Sequence, residues 1–299
     1  MVGNDAQDLT VRQNRDVRYG VTIFPTDLSI GVVELARALE ERDLDSLWLP
    51  EHTHIPTSRK TPWPVDPKGL TPIDEKYKRS LDPLVALGAA AVATERLRLG
   101  TGILLAAQRD PIVTAKAIAS VDHISCGRAA VGMGFGWNED EMNHHGVDYK
   151  QRREQGREHL LAMRRLWEDE EAEFHGSYVD FSPSWSWPKP VQTPLPVLLG
   201  GAAGPKLFAH IAEYANGWIP IGGRGLREAV PRLREAVGEA GRDPSALEIA
   251  PMAVIPDAGK FEHYEELGCT EVVIDLPSAP AEEVLPLLDS FAAMVAARR

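Results

Sequence analysis

Short apolar runs alternate with longer amphipathic stretches from residue 19 to the end of the chain. The runs YGVTIF at 19–24, SLWLP at 46–50, LRLGTGIL at 97–104 and AAVGM at 129–133 are apolar and branched, as strands are. PVLLG at 196–200, WIPI at 218–221, EIAPMAV at 248–254 and EVVIDL at 271–276 belong with them. Their continuous rather than alternating apolar character marks strands buried on both faces, as in a parallel sheet. Between the runs lie segments of helical period. The stretch 30–42 puts Val33, Leu35, Ala36 and Leu39 on one side; 150–168, 205–215, 227–239 and 281–297 behave alike, and a shorter helix fits 260–267. Asp82-Pro83 and Asp110-Pro111 each place a side-chain acceptor before a proline that suits the first helical turn, so two further helices start there.

Eight strand–helix units in order predict an α/β fold, a (β/α)8 TIM barrel with insertion loops and an outer ring of helices, spanning 18–299 as one domain. An open doubly wound sheet usually carries a glycine fingerprint after its first strand. Here Phe24-Pro25-Thr26-Asp27 follows instead. Residues 1–17 read as a polar, flexible extension. The connections 52–80 and 170–195 exceed plain barrel loops, and both contain tryptophan, which argues for ordered insertions.

Acidic residues outnumber basic ones 44 to 32, for a net charge of −12. The phosphate attraction that drives binding to nucleic acid or anionic membranes is therefore missing, and neither is an expected partner. No apolar run approaches the roughly 18–20 residues of a membrane span, and the first residues lack the apolar core of a signal peptide. Those readings point to the cytoplasm. Cys126 and Cys269 lie far apart without metal spacing and read as reduced thiols.

In a barrel, chemistry sits at the C-terminal strand ends. The second strand ends in Pro50-Glu51-His52-Thr53-His54, and His52 is the best candidate there for a reactive group, histidine being the side-chain type suited to acid–base work. His52 and His54 form an HxH, but no histidine follows at the later strand ends near Gly200, Ile221 and Val254, and Asp275 alone cannot complete a metal site. No metal is expected. Gly100 and Gly102 in the third strand mark a bulge or a close backbone approach to a ligand. The fourth runs into Gly132-Met133-Gly134-Phe135-Gly136-Trp137-Asn138, where glycines admit a planar ring, Trp137 offers stacking and Asn138 an amide. Gly200-Gly201-Ala202-Ala203-Gly204 and Ile221-Gly222-Gly223-Arg224 are glycine-rich turns entering helices, suited to cradle a phosphate on backbone N–H groups.

These residues resemble the luciferase-like monooxygenase superfamily, and in particular its deazaflavin-dependent branch. The likeness runs over nearly the whole chain after residue 18. It is most specific through Gln108-Arg109-Asp110-Pro111, Ala115-Lys116, Asp122-His123-Ile124-Ser125-Cys126-Gly127-Arg128 and Gly132 to Asn138-Glu139, with Cys126 where glycine is usual. Pro188, Pro190, Gln192, Pro194, Pro196, Gly200-Gly201 and Ala215-Asn216-Gly217-Trp218 extend it, Asn216 standing where aspartate is commoner. The resemblance implies a flat tricyclic coenzyme across the barrel mouth, F420 or alternatively FMN. Its back would rest on a non-prolyl cis peptide at Gly102–Ile103, among Gly134, Trp137, Asn138, Gly200, Gly201, Ala202, Ile221 and Gly222. It maps the catalytic pair of deazaflavin relatives onto Glu51 and His52, with glutamate in place of aspartate. Relatives that oxidise a sugar phosphate carry a glutamate where Phe135 and Gly136 stand here, so that substrate is not assigned. The implied chemistry is hydride transfer between the ring's C5 and a small organic substrate, His52 managing the proton, with Trp63, Trp185 and Trp187 walling the substrate. An FMN enzyme would instead activate oxygen with reduced flavin from a partner reductase. A homodimer is implied by the same analogy. A barrel that has lost its cofactor and a metallohydrolase are the competing classes.

Overall fold

The computed structural model describes residues 17–64 and 72–299. Its central sheet is parallel and contains β1 (Arg18–Thr22), β2 (Ser46–Leu49), β3 (Arg98–Leu105), β4 (Ala129–Gly134), β7 (Val197–Gly200), β8 (Gly217–Ile219), β9 (Glu248–Ile249), β10 (Met252–Val254) and β11 (Glu271–Asp275). The row runs β10-β11-β1-β2-β3-β4-β7-β8-β9. Helices follow the strands: α1 (Val32–Glu41), α2 (Glu75–Arg79) and α3 (Pro83–Ala93), α4 (Pro111–Ile124), α5 (Glu139–His144) and α6 (Arg152–Glu168). Beyond them come α7 (Pro205–Tyr214), α8 (Leu226–Glu239), α9 (Ala258–Glu266) and α10 (Ala281–Ala296). Asp82 accepts from the Leu84 and Val85 amides at 2.9 and 3.0 Å, and Asp110 from Val113 at 2.8 Å, so the two Asp-Pro starts cap α3 and α4 as expected.

The sheet has nine strands where eight were expected. The run 248–254 splits at Ala250–Pro251, because Pro251 has no N–H to donate and Ala253 adopts φ +57°. The two ends of the row are thus halves of one segment. On one side the Ala250 and Met252 amides donate to Trp218 and Pro220 carbonyls at 3.0 and 2.8 Å; on the other, Thr270 and Val273 donate to Ile249 and Pro251 at 2.9 and 3.0 Å. The result is a curled, TIM-barrel-like sheet with a notch rather than a ladder continuous all the way round.

Of the polar extension expected over 1–17, residues 1–16 lie outside the described residues, while Val17 is buried. The 170–195 connection holds an antiparallel hairpin, β5 (Ala172–His175) with β6 (Asp180–Ser184), pinned by Glu158 of α6, which accepts from the Ser177 and Val179 amides at 2.9 and 2.6 Å. Inside the sheet, Trp48, Ala130, Leu198, Ile219, Ala250, Met252 and Val273 pack together with Ile103 against them. Below that plug, at the strands' N-terminal ends, Glu271 is fully buried among Arg18, Arg98, Ser46 and Trp48.

Candidate active site

The opposite, C-terminal ends of the strands gather the other polar cluster. His52 leaves β2 buried, with Nδ1 2.7 Å from Oε2 of Glu141, itself 0% exposed. A carboxylate only accepts, so Nδ1 donates and the imidazole presents Nε2 as its free nitrogen. The other Glu141 oxygen accepts from the Thr53 amide at 3.2 Å. Glu141 belongs to α5, whose first turn is Glu139-Asp140-Glu141, acidic where the helix N-terminus favours negative charge. The same helix clasps the strand end further along. Asp140 accepts from Lys60 and Thr61 amides at 3.0 and 2.9 Å, and His144 meets His54 at 2.9 Å. His145, next after the helix, meets the Thr53 hydroxyl at 2.7 Å.

Glu51 does not accompany His52. It is buried with Oε2 accepting from the Leu105 amide at 2.6 Å and Oε1 from Arg109 at 2.6 Å, tying the end of β2 to the end of β3. Burial raises its pKa against the opposing pull of Arg109 and the Leu105 N–H. Burial alone lowers that of Arg109, but Glu51 and Asp82 together carry it above its ordinary value. Glu51 and His52, expected as a catalytic pair, thus have separate partners: Arg109 and the Leu105 amide for one, Glu141 for the other. Adjacent residues of an extended strand end point to opposite sides, so His52 finds its carboxylate on α5.

The Gly102–Ile103 peptide is cis, at the point where the β3–β4 register shifts. Ile103 accounts for the glycines around it. A Cβ on Gly134 would overlap the Ile103 side chain, and one on Gly200 would come within 2.8 Å of it. At these two positions the missing side chain makes room for Ile103. Asn138 is buried, 1% exposed, and neither atom of its amide has a partner; the Gln108 amide is unpartnered in the same way. Trp137 stands edge-on to His52, 5.8 Å between centroids at 71°.

At the next strand ends, Gly201 and Ala202 lead into α7, which has Gly204 as N-cap and no side-chain cap. Ile221 is 71% exposed and the turn after it enters α8 through Gly225 at φ +75°, again uncapped by a side chain. Two helix N-termini with free N–H groups thus end adjacent strands, as a phosphate cradle needs. Among the described residues no group of three or more His, Cys, Asp or Glu is placed to hold a metal ion.

The luciferase-like monooxygenase family model matches residues 30–257. This chain belongs to the luciferase-like monooxygenase family. An uncharacterized protein of Mycobacterium tuberculosis is 42% identical over 281 residues, covering 94% of this chain and 99% of its own length. Among solved structures, an F420-dependent secondary alcohol dehydrogenase in complex with an F420-acetone adduct superposes with a TM-score of 0.76 at 21% identity, over 95% of this chain and 99% of that one. The monooxygenase RslO1 from Streptomyces bottropensis gives 0.75 at 20%, over 94% and 99%. At those identities the structural likenesses establish the fold. The family and its neighbours are oxidoreductases and monooxygenases, and this member is an enzyme of that kind.

For a luciferase-like enzyme the mouth fits a flat coenzyme with an anionic tail. The unpaired Asn138 amide is a buried cost that a ligand's polar atoms relieve, and the two uncapped turns suit a phosphate. Three residues at the mouth escaped sequence reasoning. Glu141 has no motif to signal it; its only trace is an acidic residue one helical turn after Asn138. Tyr77 and Phe24 pack against His52 at centroid distances of 5.3 and 6.4 Å. Trp63, expected in the wall, meets Tyr77 at 5.7 Å. Trp185 and Trp187, expected beside it, are not there. They are 77% and 59% exposed on the outside, where Lys116 of α4 donates to the Trp187 carbonyl. The segment then continues down the outside of α4, since Asp122 near the end of that helix accepts from the Val191 amide at 2.7 Å.

Proposed function

We propose that this protein is a coenzyme F420-dependent oxidoreductase that moves a hydride between the deazaflavin and a small organic substrate. The observation that carries the reading is the buried His52–Glu141 pair at the mouth, 2.7 Å between Nδ1 and Oε2, which leaves Nε2 to handle a proton. When bound, the deazaflavin supplies the hydride chemistry at its C5. The chain supplies the rest. Nε2 of His52 donates a proton to a carbonyl oxygen being reduced, or takes one from an alcohol being oxidised. Glu141 holds the imidazole in one tautomer and stabilises the imidazolium once it forms. Asn138 and Ile103 would hold the ring, and the turns at Gly200–Gly201–Ala202 and Ile221–Gly222, through the N–H groups of α7 and α8, its phosphate.

The alternative coenzyme is FMN, with reduced flavin from a reductase and oxygen as co-substrate, since the same mouth serves both. Titration of the apoprotein with each coenzyme, followed by coenzyme absorbance, separates them. F420 should bind at least tenfold more tightly than FMN. Submicromolar FMN affinity with no F420 binding would reverse the assignment.

The protein is proposed to be cytoplasmic. Among the described residues no helix is long and apolar enough to cross a membrane. The reading also includes a homodimer. Helix α3, PLVALGAAAVA, has no charged side chain, yet Val85 and Val92 on its outer face are 75% and 76% exposed. Val113 of α4 is 67% exposed alongside. A helix apolar all round needs cover on both sides, and a second copy supplies an identical face. Light scattering should give twice the chain mass, and V92E should halve it.

A further inference from the structure

From the rings packed on His52 we infer that the substrate is a neutral, apolar and largely flat carbonyl compound or alcohol, and that Tyr77 sets this preference. The inference rests on the oxidoreductase reading and names its substrate class. Tyr77, on α2 in the long 52–80 connection, touches four rings from four parts of the chain. They are Phe24 after β1 at 4.7 Å, His52 after β2 at 5.3 Å, Trp63 at 5.7 Å and Trp137 after β4 at 6.5 Å. Trp63 and Trp137 both meet it edge-on, at 79° and 87°. The imidazole that handles the proton therefore sits in an aromatic wall, with Nδ1 already occupied by Glu141. A substrate atom reaching Nε2 meets an imidazole packed among these rings, surroundings that favour flat apolar bodies and leave one polar contact for an oxygen.

The charges around the wall do not offer an anion a home. Lys76 lies over the rings of Phe24 and Tyr77 at 5.4 and 6.0 Å, and Arg59 over Trp137 at 5.7 Å, so both cations are held against ring surfaces. Beside the wall opens a cleft of about 410 Å³ whose lining includes Thr26, Asp74, Glu75, Lys76 and Asp275. Three carboxylates there, Asp74, Glu75 and Asp275, outnumber Lys76 and Arg79, and Arg79 already pairs with Asp27, so the cleft disfavours phosphate or carboxylate substrates. Burial and the charges of Asp275 and Asp74 raise the Tyr77 phenol, against the Trp63 contact, so it remains a neutral donor at physiological pH.

Acetophenone and benzoate test this, because they share a flat ring and differ in charge; glucose 6-phosphate serves as a polar anion. Calorimetric titration of the full chain, loaded with whichever coenzyme binds, should show acetophenone binding at least about tenfold more tightly than benzoate, and no heat from glucose 6-phosphate. Tyr77→Ala should weaken acetophenone about tenfold, the scale of lost ring–ring contact, while Tyr77→Phe stays within about threefold. Tighter binding of either anion overturns the inference, as does Tyr77→Ala binding acetophenone like the wild type. Coenzyme titration of Tyr77→Ala runs in parallel and should match the wild type. If acetophenone responds to Tyr77 while neither F420 nor FMN binds, the oxidoreductase reading fails and the wall stands. If a coenzyme binds and acetophenone does not, only the substrate class falls.

Discussion

The two ends of the barrel each bury a cluster of polar side chains, and they differ in whether every valence is used. At the N-terminal end Glu271 takes hydrogen bonds from Trp48 Nε1 at 2.6 Å, Arg98 at 2.6 Å and Arg18 at 3.0 Å, plus the Ser46 hydroxyl. Arg98 also reaches Glu248 at 2.8 Å, and its guanidinium lies 5.4 Å over the Trp48 ring. At the C-terminal end His52 keeps one nitrogen free, and both atoms of the Asn138 amide go unpartnered. Buried polar groups normally find partners because leaving them bare costs about 1–3 kcal/mol each. A cluster that meets that cost internally holds the strands in register. One that leaves it open is arranged for something that arrives later, which is why the lower end reads as stability and the mouth as function.

Breaking the lower cluster should give the largest effect. Glu271→Gln leaves Arg18 and Arg98 without their central carboxylate, a loss of about 3–5 kcal/mol for a buried pair. Scanning calorimetry should then show a melting temperature lower by roughly 10 °C, while coenzyme affinity stays put. An unchanged melting temperature would mean that the pairing does not hold the barrel. At the mouth the main loss is of turnover. His52→Ala should cut turnover by about 100- to 10,000-fold, the usual range for a lost acid–base group, with coenzyme affinity nearly unmoved and a melting temperature lowered by the unpaired Glu141 carboxylate. Equal losses in turnover and affinity would make His52 a binding residue instead.

Acid sharpens the contrast. Burial opposes ionisation of Glu271, but Arg98, Arg18, Ser46 and Trp48 outweigh it and hold its pKa down to about 2 from an ordinary 4.5. A depressed carboxylate stabilises the fold fully above its unfolded pKa and progressively less as pH falls toward its folded one. Roughly 3 kcal/mol should therefore disappear between about pH 4.5 and 2. Urea midpoints measured down that range check it; in Glu271→Gln the same slope should flatten. The smallest effect belongs to Asn138→Leu. Removing an amide that is already unpaired should leave apoprotein stability within about 1 kcal/mol or raise it, yet weaken coenzyme binding about tenfold. A large drop in apoprotein stability with no change in binding would show the amide to be structural.

Local reading reached much of this architecture. The strand–helix alternation, the two Asp-Pro caps and the position of His52 at a strand end all depend on residues close together in the chain. The cis Gly102–Ile103 bond came through likeness to a family, and Asn138 through its place after the fourth strand. The partner of His52 did not. Glu141 lies 89 positions away on a six-residue polar helix with no apolar period to announce it. Glu51 looked like the natural companion because it is adjacent, and adjacency along an extended chain turns side chains apart. Trp185 and Trp187 were misplaced for a related reason: composition gives a loop's chemistry but not its path, and theirs runs down the outside of α4.

By itself, then, the chain's pattern of apolar runs and caps determined a TIM-barrel-like parallel α/β fold, since those signals operate over a few residues. Only the tertiary structure decided which carboxylate serves His52, that Ile103 fills the hollows over Gly134 and Gly200, and that Tyr77 brings four distant rings together. Such pairings depend on the three-dimensional route of the connections, and a strand end or loop offers many partners of equal chemical merit until packing selects one.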